Sequence, residues 1–509
     1  VSRLHLRNKL RSITARNNRR FLIIFFILAF LYFLTRVYNL LSLPIFTDEA
    51  IYTRWSQIAR FDANWRFISL TDGKQPLFVW FDMVLMRFIS DPLLAGRLVS
   101  VFAGFFTMTG LYFLGKELFS KKVGIIAAFL YLIYPFALVY DRMALYDSLV
   151  ATGAVWSLFF EVLLVKHKRL DLALILGMIL GASVLIKTSG FFFIYLLPFS
   201  LLLFDWKSKK RKDEFFKWVV LGVVAVGFAY VYYSVLRLSP FFYIIDEKNT
   251  TFVYPFSEWI KHPFYFFPNN FQAFFDWFFV YTTPPFLVLI ALCAIGGKLK
   301  EKALLFVWFI APLTALALFG NTLYPRFILF MTMPLIVLGA YSLENILSRV
   351  NTTVLKVAVI VFFTGAVIIS DYFILNDFAR APIPKADLTQ YINDWPAGGG
   401  IKEVIKYLDK ESKKGKIYVA SLGTFGSLPT YSVEIYLGEN KNVDKRGIYP
   451  VPNTIPEDLL TKAKIMPVFV FISNQHEFEI SSKNWPMKLV IEYRKGIGDS
   501  YSRLYQVRE

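Results

Sequence analysis

FLIIFFILAFLYFLTRVYNLLSLPIFTDEA, residues 21–50, joins fourteen consecutive apolar positions to an acidic pair, Asp48-Glu49, within a single helix-length of chain. The run follows Arg16, Arg19 and Arg20, is too long for the apolar core of a signal peptide, and shows no small-residue cleavage site. It is expected to remain as a first membrane span, delivering Asp48 and Glu49 to the far membrane surface.

The same signal recurs along the chain. Of 509 residues, 56% are hydrophobic and 18% charged, with a mean hydropathy of +0.49, values foreign to soluble globular proteins. A bilayer-spanning helix needs roughly 20 apolar residues. Eleven such runs begin near Phe21, Leu94, Val123, Ser148, Leu170, Gly190, Trp218, Pro285, Ala303, Phe327 and Val354. They lack period-two alternation, and lipid leaves backbone groups no partner outside a helix or closed barrel, so helices are predicted. The 54 Phe and 28 Tyr suit bilayer interiors and interfacial belts and imply no cofactor.

A formal charge of +19 would raise nucleic acid as a partner in a soluble protein. Its placement argues otherwise. With residues 1–20 cytoplasmic, the inner connectors carry 24 Lys and Arg in 60 positions, against 9 in 108 positions of the outer ones. That asymmetry is the positive-inside pattern of an integral plasma or inner membrane protein, and no nucleic-acid partner is expected. The single cysteine, Cys293, lies in an apolar run, which rules out an intrachain disulfide and cysteine-cluster metal sites. An odd number of spans leaves the C-terminus outside. Three parts are expected: a basic cytoplasmic N-terminus (1–20), a transmembrane unit (21–375) with long outer loops at 44–92 and 239–283, and an extracytoplasmic α/β domain (376–509). That last domain is predicted from a helix at Ile401–Lys410 and strand-like runs at Lys416–Ala420, Met466–Ile472, Lys488–Tyr493 and Ser502–Val507.

Ionisable residues gather on the outer side. Asp48-Glu49 follows the first span, Asp72-Gly73-Lys74-Gln75-Pro76-Leu77 precedes an aromatic run, and Asp141-Arg142-Met143-Ala144-Leu145-Tyr146-Asp147 precedes the fourth span. Lys187 stands in Leu185-Ile186-Lys187-Thr188-Ser189-Gly190, and Arg326 in Tyr324-Pro325-Arg326-Phe327. Carboxylates beside cations suit chemistry on a phosphate-bearing lipid: cations neutralise the leaving phosphate while a carboxylate takes a proton from an attacking hydroxyl. Taken singly, the acids also fit helix caps, and the cations also fit side chains reaching for headgroups.

In order and spacing, Asp48-Glu49, Lys74-x-Pro76-Leu77, Ala95-Gly96-Arg97-Leu98-x-Ser100, Leu114-Gly115-Lys116-Glu117-Leu118-Phe119, Asp147, the Lys187 element and Tyr-x-Arg326-Phe resemble glycosyltransferase family 39. This family includes protein O-mannosyltransferases and lipid A aminoarabinose transferases. The likeness covers about residues 20–345. It implies an all-α polytopic C-type glycosyltransferase (GT-C) fold of about eleven transmembrane helices. It further implies a membrane transferase moving a hexose or pentose from a polyprenyl-phosphate donor to an extracytoplasmic lipid, protein or glycan, with inversion. Asp48, Glu49 and Asp147 would then be catalytic, and Lys74, Arg326 and Lys187 would bind the donor phosphate. Arg97 matches a structural position, facing headgroups or pairing with an acid.

Two departures from the family pattern stand out. Lys74-Gln75-Pro76 replaces Lys-Pro-Pro, and Gly73 stands where aminoarabinose transferases carry an acid. No cofactor follows with certainty, and a divalent metal is left open. Glu258 and His262 are spaced to share a helix face, but two ligands are too few to define a metal site. A polytopic transporter or lipid flippase is the competing class. It would be expected to show internal repeats and charges at mid-membrane, whereas here charges gather at one face.

Overall fold

The computed structural model describes residues 22–424, 426–473 and 485–508. The basic segment 1–20 and Phe21 lie outside them. Among the described residues, six helices are long and apolar enough to cross a membrane: Pro92–Leu118, Asp147–His167, Arg211–Leu238, Leu299–Phe319, Pro325–Arg349 and Thr353–Asn376. Their starts are set by local chemistry. Asp91 accepts the Leu94 N–H at 2.8 Å and Pro92 fills the first turn, while Thr352 accepts from Leu355 before the last span. Pro92–Leu118, at 27 residues, extends about 40 Å at 1.5 Å per residue, more than a hydrocarbon core needs.

The other five expected runs form shorter or broken helices. Leu22–Val37 and Leu170–Ile186 are single short helices. The run from Val123 stops at Leu132, and Pro135 opens a separate short helix ending at Tyr140. The run from Gly190 relaxes into a 3₁₀ stretch at Leu197–Leu203, where Pro198 removes a backbone donor. Phe267–Thr282 and Pro284–Ala294 meet at 100°, with Thr283 at φ +62° ahead of two prolines. Hydropathy averages over such breaks because it counts apolar residues without asking whether each can donate a hydrogen bond. Among the described residues, six helices, or seven with the bent pair, are thus long and apolar enough to cross by themselves, and the remaining expected runs are apolar helices that are shorter or broken.

Pro325–Arg349 runs through the centre of the bundle with most of its residues buried, whereas Thr353–Asn376 shows Val354, Phe362 and Ile369 on an outer face. After the last span the chain forms a five-stranded sheet: β1 (Ile417–Leu422), β2 (Val443–Ile448), β3 (Val468–Ile472), β4 (Met487–Arg494) and β5 (Tyr501–Val507). The order is β2-β1-β3-β5-β4, with β1 parallel to β2 and β3, and with β5 antiparallel to β3 and β4. The helix at Ile401–Ser412 and four of these strands fall where the sequence predicts them. β2 was not anticipated, because Val-Asp-Lys-Arg-Gly-Ile is an edge strand with three charged residues and no apolar alternation to find.

The sheet domain is fastened to the membrane unit. Ile45, Ala50 and Leu93 are buried in one apolar cluster with Val404, Leu408, Phe469 and Phe471. Phe46 bridges Ala397, and the Thr47 N–H and hydroxyl both donate to the Pro396 carbonyl, at 3.0 and 2.9 Å. The residues flanking Asp48 are thus held from both sides.

Candidate active site

Asp48 stands in the first turn of the helix Thr47–Phe61, where the positive end of the helix dipole favours a carboxylate. One of its oxygens accepts from the Arg326 guanidinium at 3.1 Å, and the other lies 3.9 Å from the Lys74 ammonium. Lys74 also pairs with Asp72 at 3.3 Å, and Asp72 with Lys248 at 2.6 Å. Lys187 donates to Asp147 at 2.9 Å. Its ammonium sits 4.2 Å from the ring of Phe327, the residue after Arg326, so this pair borders the first group. Five of the six expected site residues, Asp48, Lys74, Asp147, Lys187 and Arg326, therefore meet in one charged cluster.

Burial pushes the Asp48 carboxyl up. Lys74, then Arg326 and Lys187, more than offset this and hold it below the usual carboxylate range, so it is ionised at neutral pH. Burial likewise pushes Lys74 down, but Asp48 and Asp72 outweigh it and keep the ammonium charged. The Lys74 ammonium lies 4.9 Å from the centre of the Tyr52 ring and 5.8 Å from that of Trp55, aromatic faces that hold a cation without neutralising it.

Glu49, the sixth, is turned away from the cluster. It is fully buried, and both oxygens are occupied: one accepts Arg97 Nε at 2.9 Å and the Ala144 N–H at 2.7 Å, the other Arg97 Nη2 at 2.8 Å and the Phe46 N–H at 3.0 Å. Arg97 gives its remaining donors to the Leu40, Leu43 and Pro44 carbonyls. The pair thereby ties the end of the first helix to the start of the helix bearing Asp48. In the motif that ends at Asp147, Asp141 and Arg142 are structural too. Asp141 accepts from Tyr32, Tyr131, Ser148 and Arg36, and Arg142 donates to four carbonyls between Thr35 and Asn39.

Gly73 explains one departure from the family pattern. Its φ of +65° is the left-handed conformation, and a Cβ there would lie 2.5 Å from Lys248 Cβ and 2.6 Å from the Ile244 carbonyl oxygen. The long loop at 239–283 closes onto this glycine, so no acidic side chain fits. Gly73→Ala is expected to separate the two loops, lowering the thermal midpoint and raising the donor KM together. Unchanged values for both would show that the contact is dispensable. The suggested Glu258 and His262 ligands do not converge on a metal either. Glu258 pairs with Lys261 at 2.6 Å, and no group of three or more His, Cys, Asp or Glu is placed to hold an ion among the described residues.

Sequence reading gives Asp72 a place in the Lys74 motif but no role, and it misses Lys248, Gln390 and Tyr391. Lys248 is one of only two lysines in its loop. Gln390 and Tyr391, which accept from Arg326 at 2.9 and 3.4 Å, come from beyond the last span and carry no local signal.

Beside the cluster runs an apolar groove of about 570 Å³, lined by Leu77, Phe81, Phe106, Leu149, Trp156 and Ile186 among others. Leu77, Leu149 and Ile186 stand within three positions of Lys74, Asp147 and Lys187 in the chain, so the groove begins where the charges are.

Residues 73–233 match the family model described as dolichyl-phosphate-mannose-protein mannosyltransferase. No curated protein matches the sequence. Among solved structures, ArnT from Cupriavidus metallidurans bound to undecaprenyl phosphate superposes with a TM-score of 0.58 at 14% identity, covering 95% of this chain and 97% of that one. AglB from Archaeoglobus fulgidus, in complex with an inhibitory peptide and a dolichol-phosphate, gives 0.51 at 13%, over 93% and 73%. The resemblance read from the motifs holds, and the architecture is a GT-C fold with a small C-terminal sheet domain.

Proposed function

We propose that this GT-C membrane protein transfers a sugar from a polyprenyl-phosphate donor to a hydroxyl-bearing acceptor outside the membrane, with inversion at the anomeric carbon. The observation that carries the reading is Asp48 lying between Lys74 and Arg326 beside an apolar groove. The groove takes the first isoprene units of the carrier, and its phosphate displaces Asp48 from Lys74 and Arg326 and Asp72 from Lys74, with Lys187 beside them. Freed of its countercharges, Asp48 becomes a stronger base. The acceptor oxygen attacks the anomeric carbon while its proton passes to Asp48. The carbon–oxygen bond to phosphate breaks, and its electron pair stays on the phosphate, where the cations stabilise the charge that grows in the transition state. Asp147 holds Lys187 in place for this.

The charge asymmetry of the connectors supports a cytoplasmic N-terminus and an extracytoplasmic site, tail and acceptor. Detergent-purified protein given a polyprenyl-phosphate hexose radiolabelled in the sugar should release label to water or acceptor. Movement of intact labelled lipid across vesicle membranes without release would favour a flippase instead. Lys74→Ala should raise the donor KM by about 10- to 100-fold, the worth of a charge-assisted contact to phosphate. An unchanged donor KM would remove Lys74 from phosphate binding.

A further inference from the structure

Behind Arg326 runs a file of hydrogen-bonded side chains outside the chemistry above. Arg326 Nη1 donates to Gln390 Oε1 at 2.9 Å and to the Tyr391 hydroxyl at 3.4 Å. The Tyr391 and Tyr140 hydroxyls are 3.2 Å apart, Tyr140 donates to Asp387 Oδ2 at 2.7 Å, and Tyr281 donates to the same oxygen. Asp387 is wholly buried, and its other oxygen has no partner among the described residues.

Each phenol has one proton to give. The proton of Tyr140 is committed to the carboxylate, so Tyr391 donates to Tyr140, and this leaves the Tyr391 lone pairs facing the guanidinium. The file is polarised in one direction, from the cation at Arg326 to the anion at Asp387, and each bond strengthens the next. Burial pushes the Asp387 carboxyl up to about 6, so it still carries its charge at neutral pH. A buried carboxylate is costly to keep. What this one gains is a fixed orientation for three tyrosines, Tyr140, Tyr281 and Tyr391, drawn from the short helix ending at Tyr140, the helix Phe267–Thr282 and the segment Lys385–Asn393.

We propose that Asp387 is a positioning residue that, through Tyr140 and Tyr391, fixes how Arg326 faces the donor phosphate. This role rests on the functional reading above. With Asn at 387 the pull on the Tyr140 proton weakens, Tyr140 can turn that proton toward Tyr391, and the Tyr391 proton then points at the guanidinium and repels it.

The test is binding of undecaprenyl phosphate to the full chain in detergent micelles, followed by tryptophan fluorescence and accompanied by thermal midpoints and by donor and acceptor KM values. Asp387→Asn and Tyr391→Phe should each weaken binding about tenfold and raise the donor KM alone. Combining either with Arg326→Ala should add almost nothing to the loss from Arg326→Ala itself, as expected for residues acting through one contact. A loss that persists in full on the Arg326→Ala background overturns the positioning role, and so does unchanged binding in both single variants. If Asp387→Asn does not fold, Tyr391→Phe, which removes one hydroxyl, decides the matter. Failure of the unsubstituted protein to bind the lipid overturns the donor assignment itself, whereas normal binding by the unsubstituted protein with unaltered single variants overturns only the role of Asp387.

Discussion

Asp48→Asn is expected to lower the rate of sugar transfer by at least about 10²- to 10⁴-fold, the contribution of a positioned general base, with folding and donor affinity retained. The amide keeps the size of the side chain and one acceptor oxygen for Arg326, but it cannot take a proton from the acceptor. Removing the negative charge also leaves Lys74 and Arg326 less neutralised in the empty site, so donor binding should hold or tighten. The measurement is single-turnover release from labelled polyprenyl-phosphate sugar, with the thermal midpoint as the control for folding. Turnover within a few-fold of the unsubstituted rate would sink the assignment of Asp48 as base. It would favour an acceptor that is already anionic, for which no base is needed.

The adjacent acid should behave in the opposite way. Glu49→Ala strands Arg97 as an unpaired buried charge and orphans the Phe46 and Ala144 N–H groups, a loss on the order of 3–5 kcal/mol or more. Such a variant should fail to accumulate as folded protein. Glu49→Gln keeps part of the hydrogen bonding and should yield protein with a clearly depressed thermal midpoint, and Arg97→Leu should match Glu49→Ala. Detergent-solubilised thermal unfolding followed by size-exclusion chromatography reads all three. A Glu49→Gln protein that melts normally yet cannot transfer sugar would return Glu49 to the chemistry.

Much of this molecule is legible along the chain. Lipid accepts no unpaired backbone group and few charges, so long apolar runs and the basic bias of their connectors are strong, local signals. Wherever a charge stands beside a span, its cost makes it visible. Hence Asp48, Lys74, Asp147, Lys187 and Arg326 could all be named before any of them was seen to meet another. The number of spans was less readable, because Pro135, Pro198 and the Thr283-Pro284-Pro285 corner break helices without lowering hydropathy.

By itself, then, the sequence determined the membrane character, the strands and helix of the sheet domain and most of the charged cluster, since each depends on residues close together in the chain. Only the tertiary structure decided which of two neighbouring acids faces the cluster. Asp48 meets Arg326 from 278 residues away, while Glu49 turns to Arg97 and a backbone turn. It also decided that Gly73 must remain glycine, because Lys248 of the other loop rests on it, and that Gln390, Tyr391 and Asp387 from beyond the last span complete the surroundings of Arg326. Hydrogen bonds and ion pairs are short-ranged in space and indifferent to separation in sequence. The roles they assign are settled only when distant segments pack together.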